Sequence, residues 1–223
     1  MIKVVSLDIL DLVGFSSGVL FVLKENQNSE TVKVSFYSFD LETKSIATVT
    51  KNAYLLTKFG SSFAPIAKQL GDYVSCDVAK LWNGDTFVIY STGEIGIFDT
   101  QGNITKTGDL TYKGFPARDV AADKNYIWCA VTEQNLIIKY SVLQNRVIMR
   151  IGGDETETFS SPVSVAEYDG YLYVCNKDSG KIVRVNLETY NVEDYKVFDE
   201  AVYKYIKVDE SEFVILDSGV YLL

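Results

Sequence analysis

The sequence predicts an all-β fold, a five-bladed β-propeller in which the N-terminal strand completes the last blade. A four-strand unit recurs at a period of ~40–45 residues, which is typical of propeller blades. Tyr, Phe and β-branched residues are abundant, and they favour strands. No stretch shows the sustained 3.6-residue apolar period of an amphipathic helix. A β-sandwich is the competing prediction for such a chain.

The central hairpin of each unit is its clearest part. A short apolar strand is followed by a turn and a second short strand, and Gly93, Gly180, Gly219 or Asn135 stands just before that second strand. Gly and Asn tolerate the positive φ that a tight hairpin requires. The first hairpin strands are predicted at "TFVIY" (86–90), "YIWCAV" (126–131), "YLYVC" (171–175) and "EFVIL" (212–216).

A further strand precedes each hairpin and another follows it. Asp77-Val78-Ala79 in one unit aligns with Asp119-Val120-Ala121 in the next, and then with Ser164-Val165-Ala166. The step from Val120 to Val165 is ~45 residues, in agreement with the blade period. The preceding strands are predicted at residues 75–82, 117–123, 163–168 and 205–210.

The repeat places the blades at residues 8–50, 72–110, 111–154, 159–198 and 201–223 of a single domain that covers 1–223. The last unit contains only three strands, and "MIKVVSL" (1–7) is an isolated strand at the other end. We therefore expect residues 2–7 to become the outer strand of blade five, which would protect a bare sheet edge. Deletion of residues 1–7 should then lower the melting temperature.

Residues 51–71 ("KNAYLLTKFGSSFAPIAKQLG") do not fit the repeat. They are predicted to form either a long connection with its own strand pair or a degenerate extra blade. A six-bladed propeller is therefore the alternative to five blades.

Residues 149–186 resemble the NHL/YVTN type of propeller repeat: a glycine-bearing outer strand, a proline that opens the inner strand, a "YVCN" strand and a "GKIVRV" hairpin strand. Residues 114–141 are similar but lack the hairpin glycine. The resemblance extends over residues 72–198 and implies a propeller. Because such propellers include lyases, lactonases and platforms for RNA or protein, it implies no particular chemistry.

Composition excludes several classes of site and partner. The chain has no histidine, so Ser–His–Asp or Cys–His catalysis and His-ligated metals are excluded. Its net charge of −9 argues against nucleic acid and anionic membranes as partners. Cys76, Cys129 and Cys175 are predicted to be small buried residues of a cytoplasmic protein, and no signal peptide or membrane span is recognised.

Candidate site residues lie where the inner strands begin, at one mouth of the predicted channel. The predicted ligand-binding residues are Asp77, Arg118, Asp119, Ser164 and Lys204. The alternative is that they are solvated channel residues. Asp77 and Asp119 could contribute to a calcium site, but no catalytic residue, metal site or cofactor is predicted. The aromatic residues Tyr126, Tyr171, Tyr173, Trp82 and Trp128 are predicted to lie on strands and pack in the core.

Three interpretations of the function remain open from the sequence. The first is a non-enzymatic binding module that presents a channel mouth or a side to a protein or a small polar ligand. The alternative is a small hydrolase or lyase that uses channel carboxylates or a divalent cation. A self-assembling structural subunit is a third interpretation.

Overall fold

The structure is a computed structural model that describes residues 1–6, 8–27, 31–60, 76–153 and 155–223. Five four-stranded antiparallel sheets form the blades of a five-bladed β-propeller, as the sequence predicts. Each blade has an inner strand at the channel, two middle strands that form the hairpin, and an outer strand.

The strands follow the predicted order along the chain. The N-terminal strand is β1 (Ile2–Val5). Blade one comprises β2 (Ile9–Phe15), β3 (Gly18–Gln27), β4 (Thr31–Asp40) and β5 (Ile46–Thr48). The helix α1 (Lys51–Phe59) follows, and blade two comprises β6 (Cys76–Lys80), β7 (Thr86–Tyr90), β8 (Glu94–Phe98) and β9 (Ile104–Asp109). A small hairpin of β10 (Thr111–Tyr112) and β11 (Phe115–Pro116) leads to blade three.

The remaining blades contain the best-matched repeats. Blade three comprises β12 (Arg118–Asp123), β13 (Tyr126–Val131), β14 (Leu136–Ser141) and β15 (Arg146–Gly152). Blade four comprises β16 (Pro162–Tyr168), β17 (Tyr171–Asn176), β18 (Lys181–Asn186) and β19 (Val192–Val197). Blade five comprises β20 (Val202–Val208), β21 (Ser211–Leu216), β22 (Gly219–Leu222) and, from the other end of the chain, β1.

The ring closes by pairing the two ends of the chain, as predicted. Strand β1 is antiparallel to β22, with Ile2 opposite Leu222 and Val5 opposite Val220. The chain reverses tightly before β22, and a Cβ on Gly219 would lie 1.9 Å from the carbonyl oxygen of Val5. Gly219 also has a φ of +136°, so a larger residue would be strained there and would clash with β1.

Apolar side chains fill the space between adjacent blades. Trp128 and Leu172, for example, are fully buried together between blades three and four. The middle strands bury both faces because each blade lies between two neighbours, which explains their nearly continuous apolar runs. Cys76, Cys129 and Cys175 are all buried, as predicted. The prediction for Trp82 was wrong: it lies in the turn after β6 and is 71% exposed.

Part of the segment that interrupts the repeat is helical. Residues 51–59 form α1, so the prediction of a strand pair or an extra blade was wrong for them. Thr50 caps the helix by accepting a hydrogen bond from the Ala53 N–H at 3.2 Å, and Gly60 ends it at a φ of 65°. The rest of that segment, and the predicted start of blade two at residues 72–75, lie outside the described residues.

Helix α1 fills the space between blades one and two. Its buried residues Tyr54, Leu55 and Phe59 pack against Leu20 and Val22 of β3 and against apolar residues of blade two. The helix therefore lies in the ring between blades one and two, and its Lys58 lines the channel. Among the described residues, no helix combines the length and apolar character needed to cross a membrane.

Candidate functional site

Each inner strand contributes one polar side chain to the middle of the channel. In every blade this residue directly precedes an apolar residue that packs between blades. In four of the five inner strands the register shifts at this residue (Asp119) or at the residue just before it (Asp11, Ser164 and Lys204). Such bulges re-aim a side chain out of the regular pleat. We call these residues, with Lys58 from α1, the waist residues: Asp11, Lys58, Asp77, Asp119, Ser164 and Lys204.

The carboxylate of Asp11, in β2, accepts four hydrogen bonds. One carboxylate oxygen accepts hydrogen bonds from the Leu12 N–H at 2.8 Å and from the Lys204 ammonium at 2.7 Å. The other accepts from the Lys58 ammonium at 2.7 Å and from the Tyr54 hydroxyl. Burial would raise the pKa of Asp11, but the charges of Lys204 and Lys58 outweigh it and hold the pKa below its usual value.

The two lysines are fixed in their charged form by the acids around them. Burial would lower the pKa of Lys204, but Asp11, Asp119 and Asp77 together raise it. Burial would likewise lower the pKa of Lys58, but the negative charges of Asp11 and, to a smaller extent, Asp77 raise it. Lys204 lies between two carboxylates, with its ammonium 2.7 Å from Asp11 and 3.6 Å from Asp77.

Asp119 of β12 has a different environment. It is buried and has a φ of 47°, in the left-handed region, and its carboxylate accepts a hydrogen bond from the Val165 N–H of blade four at 2.9 Å. Burial and the negative charge of Asp77 raise the pKa of Asp119 to about 6, although Lys204 and a hydrogen bond with Ser164 oppose the shift. Its charge therefore changes close to neutral pH.

Two cavities meet at the waist residues. The upper cavity, of about 300 Å³, opens where the inner strands begin, and the lower cavity, of about 360 Å³, opens where they end. Both volumes are within the range of small-molecule sites. Four waist residues line both cavities: Asp11, Asp77, Asp119 and Lys204.

All five residues predicted from the sequence to bind a ligand line the upper cavity. Asp77, Asp119, Ser164 and Lys204 lie at the waist. Arg118 lies nearer the rim, where its guanidinium is 3.2 Å from the carboxylate of Glu133.

Sequence reasoning missed two waist residues. Asp11 precedes Leu12 just as Asp77 precedes Val78, so the alignment of inner strands could have identified it. Lys58 had no comparable signal, because its segment does not fit the repeat. Among the residues that the structure describes, no three His, Cys, Asp or Glu side chains are grouped closely enough to hold a metal ion.

Comparison with known proteins identifies the fold but no family. No protein-family model matches the chain, and no curated protein matches it by sequence. Solved structures similar to it include the RRP9 WD40 repeats (12% identity, TM-score 0.54, 97% of this chain and 60% of that chain). Saccharomyces cerevisiae Sqt1 is similar over 96% of this chain and 70% of its own (12% identity, TM-score 0.55).

A third similar structure is a streptogramin B lyase, with 12% identity and a TM-score of 0.50 over all of this chain and 70% of that one. The chain therefore spans 60–70% of the length of these three structures. At this level of identity the likeness shows a β-propeller and nothing more specific. An NHL/YVTN relationship is not confirmed by any sequence match.

Proposed function

We propose that this chain is a binding module that takes a small polar ligand into the upper cavity. The observation that carries the proposal is the convergence of one polar side chain from each of the five blades on a single cavity of about 300 Å³. A channel that only needed to be filled would be packed with apolar residues. Instead, these five strands each place a polar group at the wall of this cavity, and one of these groups, Asp77, has a side chain that a ligand can reach.

The walls of the upper cavity suit a ligand that is partly apolar. Ile89, Val163 and Ile215 line it together with Tyr90 and Tyr203. A ligand could therefore direct its polar group toward the waist residues while its carbon skeleton contacts these walls. Recognition by a few placed polar groups within an apolar pocket is the usual arrangement of small-molecule sites.

A single blocking substitution can test the proposal. Leu10 lines the upper cavity and is 42% exposed, so Leu10→Trp should narrow the mouth without disturbing the core. Leu143→Trp is the matched control, because Leu143 is 78% exposed in the turn between β14 and the outer strand β15, on the opposite face of the ring.

The experiment is a thermal-shift screen with amino acids, amines, carboxylates, sugars and nucleotides, followed by calorimetric titration of each compound that stabilises the protein. We expect a binder whose affinity falls at least tenfold in Leu10→Trp and is unchanged in Leu143→Trp. The proposal fails if no compound binds, or if Leu10→Trp leaves the affinity of every compound that binds unchanged.

One observation favours catalysis as a second candidate function. A buried carboxyl with a pKa of about 6, as at Asp119, is suited to general acid or base chemistry near neutral pH. A hydrolase or lyase would convert a compound that binds in the upper cavity. Product analysis of each binder after incubation with the wild type and with Asp119→Asn tests this candidate, which fails if no binder is converted.

A further inference from the structure

We propose that the group recognised at the base of the upper cavity is an organic cation, an ammonium or a guanidinium, held by Asp77 and Asp119. This inference rests on the proposed function, because it names the chemical class of the ligand that the upper cavity takes. Its basis is the distribution of charge at the waist and, independently, at the rim of the same mouth.

The two lysine side chains at the waist both form ion pairs with Asp11. The ammonium groups of Lys58 and Lys204 each lie 2.7 Å from a carboxylate oxygen of Asp11, which is a normal length for a charge-assisted hydrogen bond. Asp77 has the Lys204 ammonium at 3.6 Å, beyond that length. With all five groups ionised, three carboxylates face two ammonium groups, and the excess negative charge lies with Asp77 and Asp119.

Asp77 is the carboxylate that a ligand can reach. About a third of its side chain is exposed, and it lines the upper cavity beside Asp119. The two carboxylates are close enough to repel each other, and this repulsion contributes to the behaviour of Asp119. A ligand cation between them would remove the repulsion, whereas a ligand anion would add to it.

The rim of the upper mouth carries the same charge. The turns between the two middle strands open at this mouth, because each first middle strand ends opposite the start of its inner strand. An exposed acidic residue lies at this turn in each of blades two to five: Glu94, Glu133, Asp178 and Asp217. These turns carry one lysine, Lys177, so their charge is net negative. Two of them contact residues of the cavity itself, since Glu133 pairs with Arg118 and Asp217 accepts a hydrogen bond from the Tyr203 hydroxyl at 2.6 Å.

An acidic rim above an acidic base concentrates cations at the mouth and disfavours anions. The apolar walls fit a short methylene chain, so the ligand is an ammonium or guanidinium on a small carbon skeleton. This chemistry has two sources, a free amine or the side chain of a lysine or arginine on a polypeptide. The test below includes both.

The experiment compares ligands of similar shape and different charge. The probes are n-butylamine and propylguanidine as cations, butyramide as the neutral compound and butyrate as the anion, each titrated at low salt and neutral pH. N-acetyl-lysine methylamide and N-acetyl-arginine methylamide represent the polypeptide source. We expect at least one cation to bind tenfold or more tightly than butyramide, and butyrate not to bind.

The protein variants assign that binding to the site. Asp77→Asn should weaken cation binding at least tenfold, whereas Asp194→Asn, on an exposed outer-strand carboxylate that pairs with Lys181, should leave it unchanged. Tighter binding of the capped amino acids than of the free amines assigns the ligand to a polypeptide, and the reverse assigns it to a free amine.

The possible failures can be told apart. If butyramide or butyrate binds as tightly as the cations, and Leu10→Trp weakens that binding, the proposed function stands and the inference of a cation is overturned. If Asp77→Asn has no effect on cation binding, the inference is also overturned. If no probe binds in a manner sensitive to Leu10→Trp at about 10 mM, the inference is overturned, and the proposed function is then decided by the wider thermal-shift screen.

Discussion

The carboxylate of Asp11 accepts a hydrogen bond from the ammonium of Lys204 at 2.7 Å, and this contact joins blade one to blade five across 193 positions of sequence. Asp11 also holds Lys58 of α1 at 2.7 Å. Asp11→Asn should therefore leave two largely buried ammonium groups without their main counter-charge. We expect it to lower the free energy of unfolding by about 3–5 kcal/mol, as measured by urea denaturation.

Asp194→Asn is the control for loss of an acid on the surface. Its carboxylate pairs with Lys181 at 2.7 Å, but both side chains are substantially exposed, and its loss should change stability by less than about 1 kcal/mol. The combination of Asp11→Asn with Lys58→Met should recover part of the loss, because it removes one of the unpaired charges. Equal effects of Asp11→Asn and Asp194→Asn would contradict a structural role for Asp11.

Ionisation of Asp119 should lower the free energy of unfolding as the pH rises. Ionisation of Asp11, whose pKa is held low, should raise it over its own range of pH. The folded-state pKa of Asp119, about 6, lies above the ordinary value of 3.8, so the folded protein favours the protonated form. The resulting loss of stability is absent below about pH 4, grows as the pH rises, and is complete above about pH 6. The charged and titratable groups that interact with Asp119 are Asp77, Cys129, Tyr168, Cys175 and Lys204, and Asp11 lines the same cavity.

Asp119→Asn removes that titration while keeping an oxygen that can accept from the Val165 N–H. The variant should be more stable than the wild type at pH values near 8, by up to about 3 kcal/mol, and the advantage should disappear near pH 4. Urea denaturation of both proteins across this range measures the difference directly. A difference that does not change with pH would show that Asp119 is ionised throughout.

The repeat explains why so much of this site could be predicted. Because each blade repeats the same strand order, the start of every inner strand could be located, and four of the waist residues were predicted as ligand-binding residues. Lys58 could not, because a nine-residue helix has little intrinsic stability and forms where packing requires it. Thr50 and Gly60 are typical of the start and the end of a helix, but both residue types are also common in the turns of a β-propeller, so they do not by themselves predict α1. Trp82 was assigned to a strand because local pattern does not locate the first residue of a turn with certainty.

Helix α1 should contribute to stability through the face that it buries between blades one and two. Phe59 is 1% exposed and Leu56, on the same helix, is 55% exposed. Phe59→Ala should lower the free energy of unfolding by about 3–5 kcal/mol because it leaves a cavity in the core. Leu56→Ala preserves helix propensity and should change it by less than about 0.5 kcal/mol. Similar values for the two variants would mean that the helix is not packed between the blades.

Pairing of β1 with β22 should stabilise the whole ring. Deletion of residues 1–5 would expose the edge of β22 and the apolar residues that Val4 and Val5 cover. We expect the melting temperature, measured by circular dichroism, to fall by about 10 °C or more. A synthetic peptide of residues 1–8, added in excess, should restore part of the loss by binding as the missing strand. An unchanged melting temperature after deletion would contradict this closure.

Lys139 should stabilise the contact between blades three and four through its aromatic surroundings. Its ammonium lies 4.4 Å from the ring centre of Tyr126 and 4.9 Å from that of Trp128, and it donates a hydrogen bond to the Tyr190 hydroxyl at 3.3 Å. The carboxylate of Asp123 is 3.6 Å away. Because Lys139 is buried, these cation–π and ionic contacts are shielded from water and are stronger than their equivalents on the surface.

Lys139→Ala should therefore lower the free energy of unfolding by about 2–4 kcal/mol. Lys181→Ala, which removes an exposed ion pair, should cost less than about 1 kcal/mol. Trp128 provides a separate readout in a Trp82→Phe background, since Trp82 is exposed and Trp128 is fully buried. Its fluorescence should shift to longer wavelength in Lys139→Ala as water enters the space. Unchanged emission together with equal stability losses at the two lysines would show that the aromatic groups around Lys139 contribute nothing specific.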